Sequence, residues 1–140
     1  MARTSDLVAT VRALFIASPE LTALIPAEDI ADRLVWPPAA RALVPAEIVY
    51  SDDGAMDRRR LDLRMVWDAH LPADAIGDVA EVLDAIRIAI NRAPGFIAEG
   101  WEILGGKVEA THVYRRDREG LDPVAVMGVA ALRFTVREVA

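Results

Sequence analysis

At 140 residues, 54 % hydrophobic and 27 % charged, the chain is long and apolar enough to bury a core and lacks the composition of a disordered segment. Its net charge of −6 argues against non-specific nucleic-acid binding, though not against a surface that merely faces DNA. With no cysteine, disulfides and thiolate metal sites are excluded, and no apolar run approaches the length of a membrane span. The opening residues Met1 to Asp6 read as the start of a helix rather than as a secretory signal. Ser5 is placed to cap that helix, and Leu7, Val8, Val11, Leu14 and Phe15 give it one apolar face. Ser18-Pro19-Glu20 restarts a short helical piece, with serine as cap and proline at the first helical position. Pro26 ends it.

Asp32 to Trp36 has the character of a short strand closed by Pro37-Pro38. Residues 37–45, rich in alanine and proline, read as an apolar loop lying against its own domain or a neighbour. Glu47 to Tyr50 is a short strand, and Ser51-Asp52-Asp53-Gly54 is turn chemistry. A long strand follows the Arg58-Arg59-Arg60 run. Leu61, Leu63, Met65 and Trp67 lie on one of its faces, with Arg60, Asp62, Arg64 and Asp68 on the other, the period of a strand buried on one side. Leu71-Pro72 breaks it. From Asp74 the spacing changes to three and four, through Ile76, Val79, Leu83, Ile86 and Ile90. That is an amphipathic helix ~25 Å long, enough to cross a small sheet.

Ala93-Pro94-Gly95 stops this helix. Trp101 and Ile103 start a strand, and Gly105-Gly106 marks a bend or bulge, read here as a hairpin bend. Val108, Ala110, His112 and Tyr114 alternate with Glu109, Thr111, Val113 and Arg115, so this is a strand. Arg116 to Asp122 is a charged loop, and Pro123 opens a last strand carrying Leu132, Phe134 and Val136. The order α-β-β-β-α-β-β predicts an α+β fold over residues 1–140 as one domain. A single antiparallel or mixed sheet of four to five strands carries two main helices.

No catalytic set emerges. The serines at 5, 18 and 51 occupy no nucleophile-elbow sequence. His70, read as following a strand end, and His112 have no nearby partner of metal-ligand spacing, so both read as structural or surface residues. Asp52, Asp53 and Asp57 surround Gly54 without the alternation or closing glutamate of a calcium loop. Gly105-Gly106-Lys107 lacks the first glycine and the hydroxyl of a phosphate loop. No enzyme activity, metal or cofactor is therefore expected. The two densest charge runs are Arg58-Arg59-Arg60 and Arg115-Arg116-Asp117-Arg118-Glu119. Such runs are usually solvated faces, but arginine also makes bidentate pairs with carboxylates across interfaces.

Several features in order resemble the tail-terminator, or tail completion, proteins of long-tailed phages. They are a first helix ending in Leu21-Thr22-Ala23-Leu24-Ile25, then Asp32-Arg33-Leu34-Val35-Trp36-Pro37, then a proline-bearing loop into Ile48-Val49-Tyr50. A long strand ending in Val66-Trp67 follows, then the helix around Val79-Leu83-Ile86 and a late hairpin ending in Leu132-Arg133-Phe134-Thr135-Val136. The family often has a Pro-Tyr pair entering the second strand, where this chain has Pro45-Ala46. The resemblance implies a homo-oligomeric ring, commonly a hexamer. Such a ring caps the tail tube, ends its polymerisation and meets the head connector, while DNA passes through the lumen without specific binding. It also implies a virion protein of the tail or neck, assembled in the bacterial host cytoplasm with no membrane partner. A closed ring needs two different patches per subunit. Trp36, Pro37, Pro38, Arg58, Arg59, Arg60 and the run from Arg115 to Glu119 are the candidate contacts. Two other readings compete: another head–tail connector, such as a stopper or adaptor, and a small α+β ligand-binding module with a pocket around Glu102, His112 and Tyr114.

Overall fold

The computed structural model describes residues 2–33, 41–52, 59–72, 75–116 and 125–139, with backbone only for residues 76, 114–116 and 125. Its elements are helices α1 (Leu7–Ile16), α2 (Pro19–Thr22) and α3 (Ile76–Asn91). Five strands accompany them: β1 (Ala42–Asp52), β2 (Arg60–Pro72), β3 (Ile97–Ala98), β4 (Trp101–Arg116) and β5 (Ala125–Glu138). The strands form one sheet in the order β1-β2-β5-β4-β3, and every strand pair is antiparallel. The fold is therefore α+β, as the residue pattern implies. Among the described residues, parallel pairing is confined to one isolated bridge between Ile30 and Leu43.

The period of two in β2 marks its buried face. Leu61, Leu63, Met65, Trp67, Ala69 and Leu71 are all at most 2 % exposed. Each faces a residue of β5 on the same side, from Leu61 opposite Val136 to Leu71 opposite Val126. Over this face lie Val79, Val82, Ile86 and Ile90 of α3 and Leu7, Val11 and Phe15 of α1. Burying each such side chain contributes ~1.5–3 kcal/mol gross. Phe15 meets Trp67 edge-on, with ring centroids 5.0 Å apart. Gly128 of β5 lies directly under α3. A Cβ there would sit 2.7 Å from Val79 Cγ1, so the helix and sheet approach as closely as glycine allows.

Local chemistry sets the helix ends. Ser18 Oγ accepts a hydrogen bond from the Leu21 N–H at 3.4 Å, with Pro19 in the first turn. Ser5 does not cap α1: residues Thr4–Asp6 form a 3-10 turn, and Asp6 stands at the helix start with its carboxylate bonded to Arg3 and not capping the helix.

Four expectations need correction. Residues 42–45 are strand, not loop. Ala42, Leu43 and Val44 are all buried, so no alternation betrays the strand. Pro45 is tolerated because β1 lies at the sheet edge, where the register shifts between Pro45 and Glu47. Asp32 and Arg33 are a bend, while residues 34–36 of that expected strand lie outside the described residues. Gly105-Gly106, expected as a bend or bulge and read as a hairpin bend, lies within one continuous β4. The register shifts between Ile103 and Gly105 and between Val108 and Ala110, so the glycines serve a bulge and not a hairpin. His70 lies inside β2, buried between Ala42 and Met127 on the face away from the helices.

Candidate assembly surfaces

The arginine run entering β2 divides in space. Arg59 is half-buried and faces inward: its Nη2 donates to the Ala2 carbonyl at 3.0 Å, and its guanidinium stacks over Trp101 at 5.1 Å from the ring centroid. The Arg59 carbonyl also accepts the Glu138 N–H at 2.8 Å. Trp101 in turn donates from Nε1 to the Arg3 carbonyl at 2.9 Å. Arg60, the next residue, points to the opposite face and is exposed. Arg115 and Arg116 are the last residues of β4, paired with Val126 and Ala125 of β5. Trp36, Pro37, Pro38, Arg58, Asp117, Arg118 and Glu119 lie outside the described residues.

The face of the sheet away from the helices carries the densest described charge. Arg133 of β5 grips Asp62 of β2 with two bonds, Nε to Oδ1 at 3.0 Å and Nη2 to Oδ2 at 2.6 Å. Arg137 Nη2 donates to Glu102 Oε1 at 2.7 Å, directly across the β5–β4 ladder. The hydrogen bonds from Arg133 hold the Asp62 carboxyl below the ordinary carboxylate range; partial burial opposes this, while Arg64 and Lys107 add to it. The same contact raises the Arg133 guanidinium. Arg64 and Lys107 make no ion pair among the described residues. Beside these pairs, a shallow groove of about 510 Å³ opens over the bulge, floored by Gly105 and Gly106 and flanked by Arg60, Asp62, Lys107 and Arg133. Asp62 and Arg133 are committed to each other in it, and among the described residues no nucleophile and base stand in hydrogen-bond contact there. Among the described residues no cluster of acidic or histidine side chains is arranged to hold a metal.

The serines do not converge with the histidines. Ser18 caps α2, Ser51 is on the exposed end of β1, and His112 is on an exposed part of β4. Glu102 is engaged by Arg137, so the pocket imagined around Glu102, His112 and Tyr114 has its carboxylate already committed to an ion pair.

A fold made of one sheet with helices on one side, and a charged opposite face, is common to many functions. The family comparison decides among them. Residues 9–134 match the family model described as tail completion protein gp17. The chain belongs to that family. As a member of the tail completion family, it is a structural protein of a phage tail. No curated protein matches the sequence. Among solved structures it is similar to a chain from the virion of a native gene transfer agent particle. That match has a TM-score of 0.72 and 14 % identity, and covers 94 % of each chain. The likeness extends the shared fold over almost the whole tail completion chain. No helix among the described residues is long and apolar enough to cross a membrane.

Sequence reasoning missed the inward role of Arg59 and the pairing of Asp62 with Arg133. The second has a signal in hindsight. Asp62 and Arg64 on β2, and Arg133 and Arg137 on β5, alternate with buried residues at the same period. Antiparallel pairing of those strands puts opposite charges within reach.

Proposed function

We propose that this chain is a tail terminator: one domain that forms a ring, capping the finished tail tube and ending its polymerisation. The ring offers its other surface to the head connector, and DNA passes through its lumen without specific binding. The observation that carries this reading is the family match over residues 9–134. A net charge of −6 suits passage of an acidic polymer that must not stick. In this reading the protein acts through the shape of its multimer, taken here as six subunits, and catalyses nothing. The contacts are Trp36, Pro37, Pro38, Arg58, Arg60 and the run Arg115 to Glu119. Arg59 braces the strand that presents Arg60.

Electron microscopy of the purified protein, alone and mixed with tail tubes, tests the proposal. A ring at one end of each tube is expected, and a strict monomer in both samples overturns it. Reversing Arg115, Arg116 and Arg118 to glutamate is expected to leave the unfolding transition in place and to weaken ring closure or docking. Unchanged rings and unchanged tails remove these three residues from the interface.

A further inference from the structure

The two outer edges of the sheet are each covered at one end and, among the described residues, open for the rest. On the β1 side, Ile30 bridges Leu43, and the Ala31 N–H donates to the Leu43 carbonyl at 2.9 Å. From Glu47 to Ser51, β1 pairs only with β2 among the described residues. On the β4 side, β3 pairs with Trp101 and Glu102, and the Ile103 backbone bonds both Gly95 and Phe96 at 2.8 Å. Beyond Ile103, β4 pairs only with β5 among the described residues.

The open stretches overlap in level, but their exposed apolar side chains lie at diagonally opposite corners. Tyr50 of β1 is level with Leu63, Phe134 and Gly106, whereas Val113 of β4 is level with Gly128, Ala69 and Leu43. Apolar side chains are exposed at both corners: Tyr50 at 48 % and Val113 at 41 % on the helix side of the sheet, and Val49 at 53 % on the opposite side. An extended strand edge with exposed apolar side chains is a template for another strand, and proteins that stay monomeric blunt it. No proline stands in 46–52 or 104–116 to do so.

Strand direction and charge name the occupant. The four long strands β1, β2, β5 and β4 alternate in direction. A second copy in the same orientation, laid beside β4, therefore presents its β1 antiparallel without being turned over. Residues 46–52 carry two acidic residues and no basic one; residues 107–116 carry three basic residues and one acidic one, counting histidine neutral. Two different, complementary edges on one subunit are what a head-to-tail contact requires.

We propose that copies of this chain join by sheet augmentation, the open half of β4 on one copy pairing antiparallel with the open half of β1 on the next. This rests on the ring reading above and names its contact. Bringing Val49 and Tyr50 of one copy against Thr111 to Val113 of the next staggers neighbouring copies along the strand direction, and the strands then tilt with respect to the ring axis.

The sequence contains no cysteine, so introduced thiols are the only ones present. A panel pairs Val49→Cys or Ser51→Cys with Thr111→Cys or Val113→Cys in one chain, each position being exposed. After mild oxidation of assembled protein, at least one pair is expected to give a ladder of covalent multimers on non-reducing gels. A pair of Glu81→Cys on the exposed face of α3 with Val113→Cys is expected to give none. Val113→Lys is expected to keep the circular dichroism spectrum and lose the ring population. Rings of the wild type with no ladder from any pair, and undiminished rings of Val113→Lys, overturn the edge contact while leaving the ring standing. A covalent dimer from Val113→Cys alone also overturns it, because β4 would then pair with itself. Absence of any wild-type multimer, alone or on tails, overturns the ring reading together with this one.

Discussion

The two halves of β4 share a strand, a ladder to β5 and an antiparallel register, yet they live differently. Trp101 and Ile103 are fully buried under the helices and the short β3. Glu109 to Val113 are exposed whichever side of the sheet they face. Pairing alone therefore does not make a strand part of the core; the helical layer must also reach it. An unsupported hairpin is marginal in water. The far half of β4 contributes little to the isolated fold and leaves its outer edge for contact.

Mutations test this contrast directly. The largest effect is expected from the near half: Trp101→Ala should destabilise the chain by ~3–5 kcal/mol, read as a shifted urea midpoint. Equal tolerance of Trp101→Ala and Val113→Ala would abolish the distinction. Next is the boundary between the halves. A Cβ at Gly106 would lie 2.7 Å from the buried Phe134 ring and 3.3 Å from Ile90 Cγ2. Gly106→Ala is expected to cost ~1–3 kcal/mol by overpacking. A neutral result would mean that the bulge can slide away from the core.

The ion pair beside the groove gives a smaller, pH-dependent effect. The Asp62 carboxyl is depressed in the folded chain relative to the unfolded one. Its contribution is therefore present above the unfolded value of ~3.9 and is lost as pH falls through the folded value. For a half-exposed pair this is at most ~1 kcal/mol. Unfolding midpoints of wild type and Asp62→Asn should differ at pH 7 and converge in acid below that value. A gap that persists at the lowest pH would assign the loss to packing instead. The smallest stability effect is expected in the far half, where Val113→Ser should stay within ~0.5 kcal/mol. Amide exchange sharpens that point: residues 107–113 should exchange faster than 101–103 in the isolated chain and slow on assembly.

Where one face is buried and the other solvated, the sequence reveals the structure. β2 and α3 are legible because their periods of two and near four each correspond to a single buried face. β1 is legible only from Glu47 onward, since Ala42, Leu43 and Val44 are buried on both faces and Pro45 mimics a loop. In β4 the alternation begun by Trp101 and Ile103 does not carry on into Val108, Ala110 and His112, because two bulges reset it, and so Gly105-Gly106 reads as a bend. The site is less legible than the fold. Arg58-Arg59-Arg60 looks uniform on paper, but successive strand residues face opposite ways, so Arg59 and Arg60 have unlike surroundings. An open edge leaves no mark in composition at all, because it is a property of which strand ends up outermost.

The clasp that joins Arg59, Trp101 and the backbone of Ala2 and Arg3 makes the indole of Trp101 an optical reporter. Its emission depends on a stacked cation and on a hydrogen bond to the carbonyl at position 3. With Trp36 and Trp67 replaced by phenylalanine, a single emitter remains. Its wavelength would then follow the docking of the first residues in real time, without an added dye.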